Sequence, residues 1–364
     1  MEVPEAQKIR LVLNSLGGGG AEHVAVELCR QWANEGVKVQ VVLLREGGVR
    51  VVELPSSVEL HVLDITRARY ALPKLSAWEK THGTCATLVF GFEAAFVFAL
   101  GKFLGRLQSP LIFREGSLPE ANLSWPRRAA YPFVLAKSDA VVVQSSSMAR
   151  KVSRSNSCLE KITAIPNPVR RSSGDRKSVV EKEWGRREPV RILSIGRLSP
   201  EKGFGDLVQA FREVRQSRPM SDLTIYGEGA ERKRLQGLIT RHGLQGSVKL
   251  PGFRMIDQAI WRRSDIFVLS SRYEGQPNAL MQAISVGMRV IATSASPATI
   301  ELLHACGLEE SVISCISGVE LRRKVDWCLE TPATLWSQAS TRLLEMSDAV
   351  RIAQRYLECL RRVA

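Results

Sequence analysis

The residues best placed to do chemistry lie between Leu269 and Gly287, in the stretch LSSRYEGQPNALMQAISVG. It reads as the end of a buried strand, a polar loop, and a helix opening near Pro277. Proline at a first helical turn loses no needed hydrogen bond and presets the backbone angle. The loop brings Glu274, Gly275 and Gln276 to the carboxyl end of a strand, the edge at which open α/β sheets bind ligands. The N–H groups of Asn278, Ala279 and Leu280, together with the helix dipole, favour a phosphate there. Gln282 shares a helix face with Asn278, four residues on. A carboxylate, a side-chain amide and an anion seat on one element suit a ligand that joins a sugar to a nucleotide.

The same stretch resembles the signature of retaining glycosyltransferases of the GT-B fold, family 4, Ser-x-x-Glu-Gly-x-Pro-x-x-x-x-x-Glu-Ala. Ser271, Glu274, Gly275, Pro277, Asn278 and Ala283 match it, whereas Gln282 stands where the family usually has Glu. The resemblance implies that Glu274 binds a hydroxyl of the donor hexose and helps support positive charge at the anomeric carbon. Gln282 can accept from ribose hydroxyls through its amide oxygen but carries no charge, so nucleotide binding is expected to be weaker than with Glu. The competing reading is an ordinary strand-loop-helix with Glu274 facing solvent.

Further motifs follow the family in order. Gly196-Arg197-Leu198-Ser199-Pro200-Glu201-Lys202-Gly203 resembles its Gly-Arg-x-x-x-Glu-Lys-Gly. A leaving nucleoside diphosphate gains negative charge as the glycosidic bond breaks. Arg197 can grip its oxygens with a planar fork and Lys202 can add a point charge. Such preorganised cations stabilise the transition state, so no metal is expected and the donor nucleotide-sugar is a substrate in place of any cofactor. Gly227 and Gly229 resemble the family's Gly-x-Gly, where backbone close to the nucleotide base tolerates no side chain.

Near the amino terminus, Gly18-Gly19-Gly20-Ala21-Glu22 resembles the family's GG-A-E turn, in which Gly18 and Gly19 let the donor phosphates approach. A dinucleotide fingerprint fits less well, because its third glycine would fall on Glu22. Arg114-Glu115-Gly116-Ser117 ends another strand, where many family members carry a His facing the reacting sugar. Here Glu115 is the candidate for that group, with Arg114 beside it on the acceptor side. The alternative is an ion pair between Glu115 and Arg114 or another base. Trp125, Arg127 and Arg128 follow, as cleft lining or as a solvated face.

Stepping from these residues to the elements that carry them, apolar strand-like runs alternate with helical patterns along the chain. They occur at Ile9–Asn14, Val37–Leu44, Val58–Leu63, Ala86–Phe90, Leu111–Arg114, Ala140–Val143 and Ile162–Ile165. A second series begins at Val190–Ile195 and continues through Leu223–Tyr226, Asp265–Leu269 and Arg289–Ala292. That alternation predicts doubly wound parallel sheets. The expectation is an α/β chain of GT-B type, two Rossmann-like domains facing a cleft. The predicted boundaries are an acceptor-side domain over 1–169, a linker over 170–189, a donor-side domain over 190–345, and a segment over 346–364 that crosses back to the first domain.

The bulk properties narrow the partners. An apolar share of 45% and a charged share of 24% over 364 residues are those of a globular protein. The seven Cys form no C-x-x-C pair and the five His do not cluster with them, which is unlike a zinc site or a disulfide framework. The acidic, polar start and the lack of any membrane-length apolar run predict a cytoplasmic protein. A net charge of +14 is spread along the chain and not confined to one tail. It is compatible with peripheral contact at the anionic inner face of a membrane, and no basic-aromatic module suggests nucleic acid. The resulting expectation is transfer of a hexose or N-acetylhexosamine from a nucleotide-sugar, by resemblance a UDP-sugar, to a lipid-linked saccharide or surface polysaccharide. The alternative is a GT-B nucleotide-sugar-binding protein that no longer turns over, suggested by Gln282.

Overall fold

In the computed structural model, residues 8–65, 70–116, 125–154, 159–169 and 189–363 are described. The chain divides into two compact units, Met1–Arg170 with Ser347–Ala364, and Arg171–Met346. The expected linker lies outside the described residues up to 188, as do Ser117 and the side chain of Trp125.

The first unit contains a seven-stranded sheet built from β1 (Lys8–Leu13), β2 (Lys38–Leu43), β3 (Glu59–Val62), β4 (Thr87–Phe90), β5 (Leu111–Arg114), β6 (Ala140–Val143) and β7 (Ile162–Ala164). Their order is β3-β2-β1-β4-β5-β6-β7, and every pairing is parallel. Parallel sheets are covered on both faces, which is why these strands are continuous apolar runs and not alternating ones. Successive side chains still point to opposite faces. Leu11 and Leu88 therefore join a core with Trp32, while Val12 and Val89 join a separate core with Phe98 and Phe113. The strand order reverses between β1 and β4, where the first sheet has its switch point.

The helix Ala349–Arg361 belongs to this unit and not to the one that precedes it in sequence. Its apolar stripe, Ile352, Tyr356, Leu357 and Leu360, is buried with the helix Gly20–Asn34. The indole Nε1 of Trp32 donates to the Ala353 carbonyl at 3.0 Å. The segment docks just after β7, where Val169 N donates to the Ser347 carbonyl at 2.8 Å. Asp348 caps the helix by accepting from Arg351 N at 3.2 Å, which satisfies one of the orphan N–H groups of its first turn.

The second unit repeats the plan with six strands: β8 (Arg191–Ile195), β9 (Asp222–Tyr226), β10 (Val248–Gly252), β11 (Ile266–Leu269), β12 (Arg289–Thr293) and β13 (Val312–Ile313). The order is β10-β9-β8-β11-β12-β13, again parallel, with its reversal between β8 and β11. The two motifs singled out in sequence are the loops that leave these two strands. β13 has only two residues, too few for the pattern on which strand prediction depends.

Candidate functional site

The loop after β8 turns through Pro200–Lys202, a short 3-10 segment, into the helix Phe204–Ser217. Gly203 sits at φ 64°, in the left-handed region, and a Cβ there would collide with the Ser270 carbonyl. This close crossing lays the β8 loop against the loop leaving β11. Ser270 Oγ donates to the Lys202 carbonyl at 2.8 Å, and Arg272 N donates to the Glu201 carbonyl at 2.8 Å. Arg272 also pairs with Asp206 at 2.8 Å, on the exterior of the same junction.

The consequence is a contact between the two motifs. Lys202 Nζ lies 2.6 Å from Glu274 Oε1, both side chains being largely buried. Ser271 Oγ donates to the same oxygen at 2.7 Å. Ser271 is 1% exposed, and its carbonyl accepts from the buried hydroxyl of Thr293, at the end of β12. Glu274 is therefore not a solvent-facing loop residue. Its Oε1 is held from two sides, and Oε2 has no partner among the described residues. An ammonium, a hydroxyl and an oriented carboxylate thus meet at the sheet's switch point, where doubly wound folds hold ligands.

The helix after this loop spans Asn278–Ser285, with Pro277 as its extended N-cap and not its first helical residue. Its first backbone bond runs from Met281 N to the Pro277 carbonyl, at 3.0 Å. The N–H groups of Ala279 and Leu280 have no intrahelical acceptor and add to the positive end of the helix. Gln276, Asn278 and Gln282 are partly exposed along this edge. Arg197 is exposed and has no ion-pair partner among the described residues. An exposed, unpaired guanidinium on the loop that carries Lys202 is available to an incoming anion.

Gly227 and Gly229 have φ 149° and 158°. The structure supplies a cause for them other than the expected approach of a nucleotide base. A Cβ on Gly227 would overlap the Gly196 carbonyl, and one on Gly229 the Leu198 carbonyl. The β9 loop crosses directly over the Arg197 loop and bonds to it through Leu198 N to the Glu228 carbonyl and Glu231 N to the Leu198 carbonyl, both at 2.9 Å. These glycines set the backbone of the arginine loop.

In the first unit, Gly18 is exposed and Gly19 is the N-cap of the helix Gly20–Asn34, at φ −80°. That conformation is open to any residue, and the neighbour a Cβ at Gly19 would meet is the movable carboxylate of Glu22. The glycine that the turn cannot replace is Gly48, at φ 127°, whose Cβ would strike the Leu16 carbonyl. Composition at the turn itself gave no hint of it, because Gly48 is distant in sequence.

Arg114 departs from the acceptor-side role expected of it. It is 2% exposed, with Nε donating to Tyr356 Oη at 3.0 Å and Nη2 to Asn167 Oδ1 at 2.5 Å. Its guanidinium lies over the Phe90 ring at 5.1 Å. It ties the end of β5 to the C-terminal helix, and it does not pair with Glu115. Glu115 is buried beside Tyr131, whose phenol is pushed up by burial first and by the Glu115 carboxylate second. The Glu115 carbonyl accepts from Gln144 Nε2 at 2.6 Å. Arg127 reaches Glu93, which also accepts from Asn14 Nδ2 at 3.2 Å. Glu93 and Asn14, at the first sheet's switch point, went unnoticed in the sequence because neither belongs to a spaced motif. Among the described residues no group of His, Cys, Asp or Glu is arranged to hold a metal ion.

Residues 18–172 match the family model for Glycosyltransferase Family 4, and residues 177–308 match that for Glycosyl transferases group 1. A glycosyltransferase of uncharacterised specificity from Methanocaldococcus jannaschii is 29% identical over 179 residues, 48% of this chain and 44% of that protein. The amylovoran biosynthesis glycosyltransferase AmsK of Erwinia amylovora is 29% identical over 198 residues, 51% of this chain and 46% of that protein. The chain thus spans under half the length of these curated relatives. Among solved structures, Anabaena HepE in complex with UDP and glucose superposes with a TM-score of 0.79 at 23% identity, over 98% of this chain and 99% of that one. S. aureus TarM superposes with a TM-score of 0.80 at 11% identity, over 97% and 99%. Two adjoining family matches, one on each sheet, and a shared fold over nearly the whole length place this chain among the family 4 glycosyltransferases of GT-B fold.

Proposed function

We propose that the protein is a retaining glycosyltransferase that moves a hexose or N-acetylhexosamine from a UDP-sugar to a lipid-linked saccharide or surface polysaccharide. The observation that carries this reading is the junction of Lys202, Ser271 and Glu274, with an exposed Arg197 on the same loop as Lys202. UDP in the HepE structure supports the choice of base, and the names of relatives in amylovoran and colanic acid biosynthesis support the acceptor class.

In this reading the donor diphosphate lies against Arg197, Lys202 and the first turn of the helix Asn278–Ser285. As the bond to the sugar breaks, charge grows on the leaving phosphate, and these fixed positive groups stabilise it without rearrangement. Lys202 changes partner, from Glu274 alone to carboxylate and phosphate together. Glu274 uses Oε2 for a hydroxyl of the sugar, and its charge stabilises the positive character that develops at the anomeric carbon. Retention follows if the acceptor hydroxyl attacks the face that the phosphate leaves. Gln282 takes the ribose hydroxyls, and Gln276 and Pro277 shape the approach to the helix end. On the first unit, Gly18 and Gly19 form a turn that projects no side chain, and Glu115 is the proposed acceptor-facing carboxylate. The cations replace a metal, and contact with an anionic membrane surface brings the acceptor within reach. No helix among the described residues is long and apolar enough to cross a membrane.

Gln282 favours one other reading, a protein that binds a nucleotide-sugar and does not turn it over. A donor screen separates the two: binding and slow hydrolysis of UDP-, GDP- and ADP-sugars in the presence of a chelator, with Glu274→Ala as control. The expected result is sugar release from the UDP donor, reduced about 100- to 1000-fold by the substitution. Tight binding with no release by either protein would establish the non-catalytic reading.

A further inference from the structure

Two neighbouring helices of the first unit are apolar on the side that faces away from their core. The helix Phe92–Phe103 follows β4 and buries Ala94, Ala95, Phe98 and Ala99 in the core it shares with Phe113. On its other side Phe96, Val97 and Leu100 are partly exposed, and Phe103 and Leu104 are 60% and 51% exposed. Their spacing, i, i+1, i+4, i+7 and i+8, makes one continuous stripe on a helix. A helix that is apolar all round is normally covered all round, whereas here the outer stripe reaches solvent. The helix Trp125–Lys137 packs beside it and carries a matching stripe, with Ala129, Pro132 and Ala136 exposed and Phe133 partly so. Phe133 joins the two stripes, its ring centre 6.1 Å from that of Phe96 and 5.8 Å from that of Phe103.

The rim of this face is cationic. Lys137 Nζ lies over the Phe103 ring at 5.1 Å. Arg106 is exposed and has no ion-pair partner among the described residues, and Arg127 and Arg128 are exposed at the other end. Within residues 91–106 and 127–139 the acidic side chains are Glu93 and Asp139, and each is paired, with Arg127 and Lys102. A second copy docked by the same face would set one cationic rim against another, which opposes association. An anionic bilayer meets both halves of the pattern, with acyl chains for the apolar stripes and headgroup charge for the rim.

We propose that the outer face of these two helices is the surface by which the protein lies on an anionic bilayer. Phe103 and Leu104 enter the boundary of the acyl chains, and Arg106 and Lys137 keep their charges among the headgroups while their stems lie along apolar surface. The helix Phe92–Phe103 is about 18 Å long at the rise of an α-helix. It starts at the carboxyl end of β4, the sheet edge at which Glu115 also stands. A membrane along this face borders that edge, so a saccharide carried on a lipid reaches it without leaving the bilayer. That purpose rests on the lipid-linked acceptor reading, whereas the apolar face and its charged rim do not.

The test is flotation of the full chain with vesicles of phosphatidylcholine alone, and of phosphatidylcholine and phosphatidylglycerol in equal parts. The expected result is binding to the anionic vesicles at least about fivefold above the neutral ones. Phe103→Ser combined with Leu104→Ser should lower that binding at least about tenfold, because it removes the inserted apolar groups. Arg106→Glu should lower it at least about fivefold. Thermal stability should hold in both variants, since all three side chains are exposed. Equal binding to neutral vesicles, full binding by the double variant, or no binding to either vesicle would overturn the proposal. So would a dimer in solution that the double substitution dissociates, which would make the face a contact between copies. Sugar release from a UDP-sugar without vesicles, measured on the same proteins, tests the transferase reading separately. It should be equal in all of them, and its absence would leave the flotation result standing.

Discussion

At the scale of single residues, the decisive feature is that one oxygen of Glu274 accepts from both Lys202 and Ser271. Two donors on Oε1 fix the carboxylate plane and leave Oε2 to the ligand. Ser271 is thereby a positioning residue. Its hydroxyl makes a hydrogen bond to a charged group, a class that contributes about 1.5–3 kcal/mol. Ser271→Ala should therefore lower kcat about 10- to 100-fold while donor KM moves little, with Ser271→Thr recovering part of the loss. Equal falls in kcat and thermal stability without any rescue would make the role merely structural. Glu274 and Lys202 were legible from motif spacing, but their contact was not, since 72 residues separate them. Arg114 shows the opposite case: its type and place at a strand end suggested a ligand contact, and packing committed it to Tyr356 and Asn167.

At the scale of elements, glycines at crossings decide how the loops lie. Gly227 adopts a φ that L side chains avoid and leaves no space for a Cβ beneath the Gly196 carbonyl. Gly227→Ala should destabilise the second unit by about 3 kcal/mol or more, combining backbone strain with a forced shift of the arginine loop. Hydrogen exchange would show lost protection in β8 and β9, with the first unit unaffected. The strands themselves were legible, because buried parallel strands are uninterrupted apolar runs bounded by turn residues. The loop crossings were not. A glycine reads the same in sequence whether it makes room for a ligand or for another stretch of backbone, and at Gly48, Gly203, Gly227 and Gly229 the coordinates distinguish the two.

At the scale of the whole molecule, the last helix is the element that completes the first unit. Ile352, Tyr356, Leu357 and Leu360 are almost fully buried. At roughly 1.5–3 kcal/mol for each large side chain, their loss matches the full stability of a typical domain, about 5–15 kcal/mol. It would also leave the indole of Trp32 without its acceptor, the Ala353 carbonyl, and the Nε of Arg114 without Tyr356. Removal of residues 347–364 should therefore unfold the first unit and leave the second folded. Limited proteolysis would show a protected fragment beginning near residue 189, and a protected first unit in the truncated chain would refute the assignment.

The sequence by itself determined the fold class, the paired doubly wound sheets and the identity of the chemically equipped loops. These depend on local periodicity and on short spaced motifs, which a chain carries wherever it is folded. Tertiary structure alone decided which of those residues meet, which glycines serve packing, that Arg114 is a strut, and that the helices Phe92–Phe103 and Trp125–Lys137 keep an apolar face open. Each of these is a contact, or a missing cover, between segments far apart in sequence. No local pattern encodes them, and they appear only when strand order brings the ends of β8, β9 and β11 to one edge.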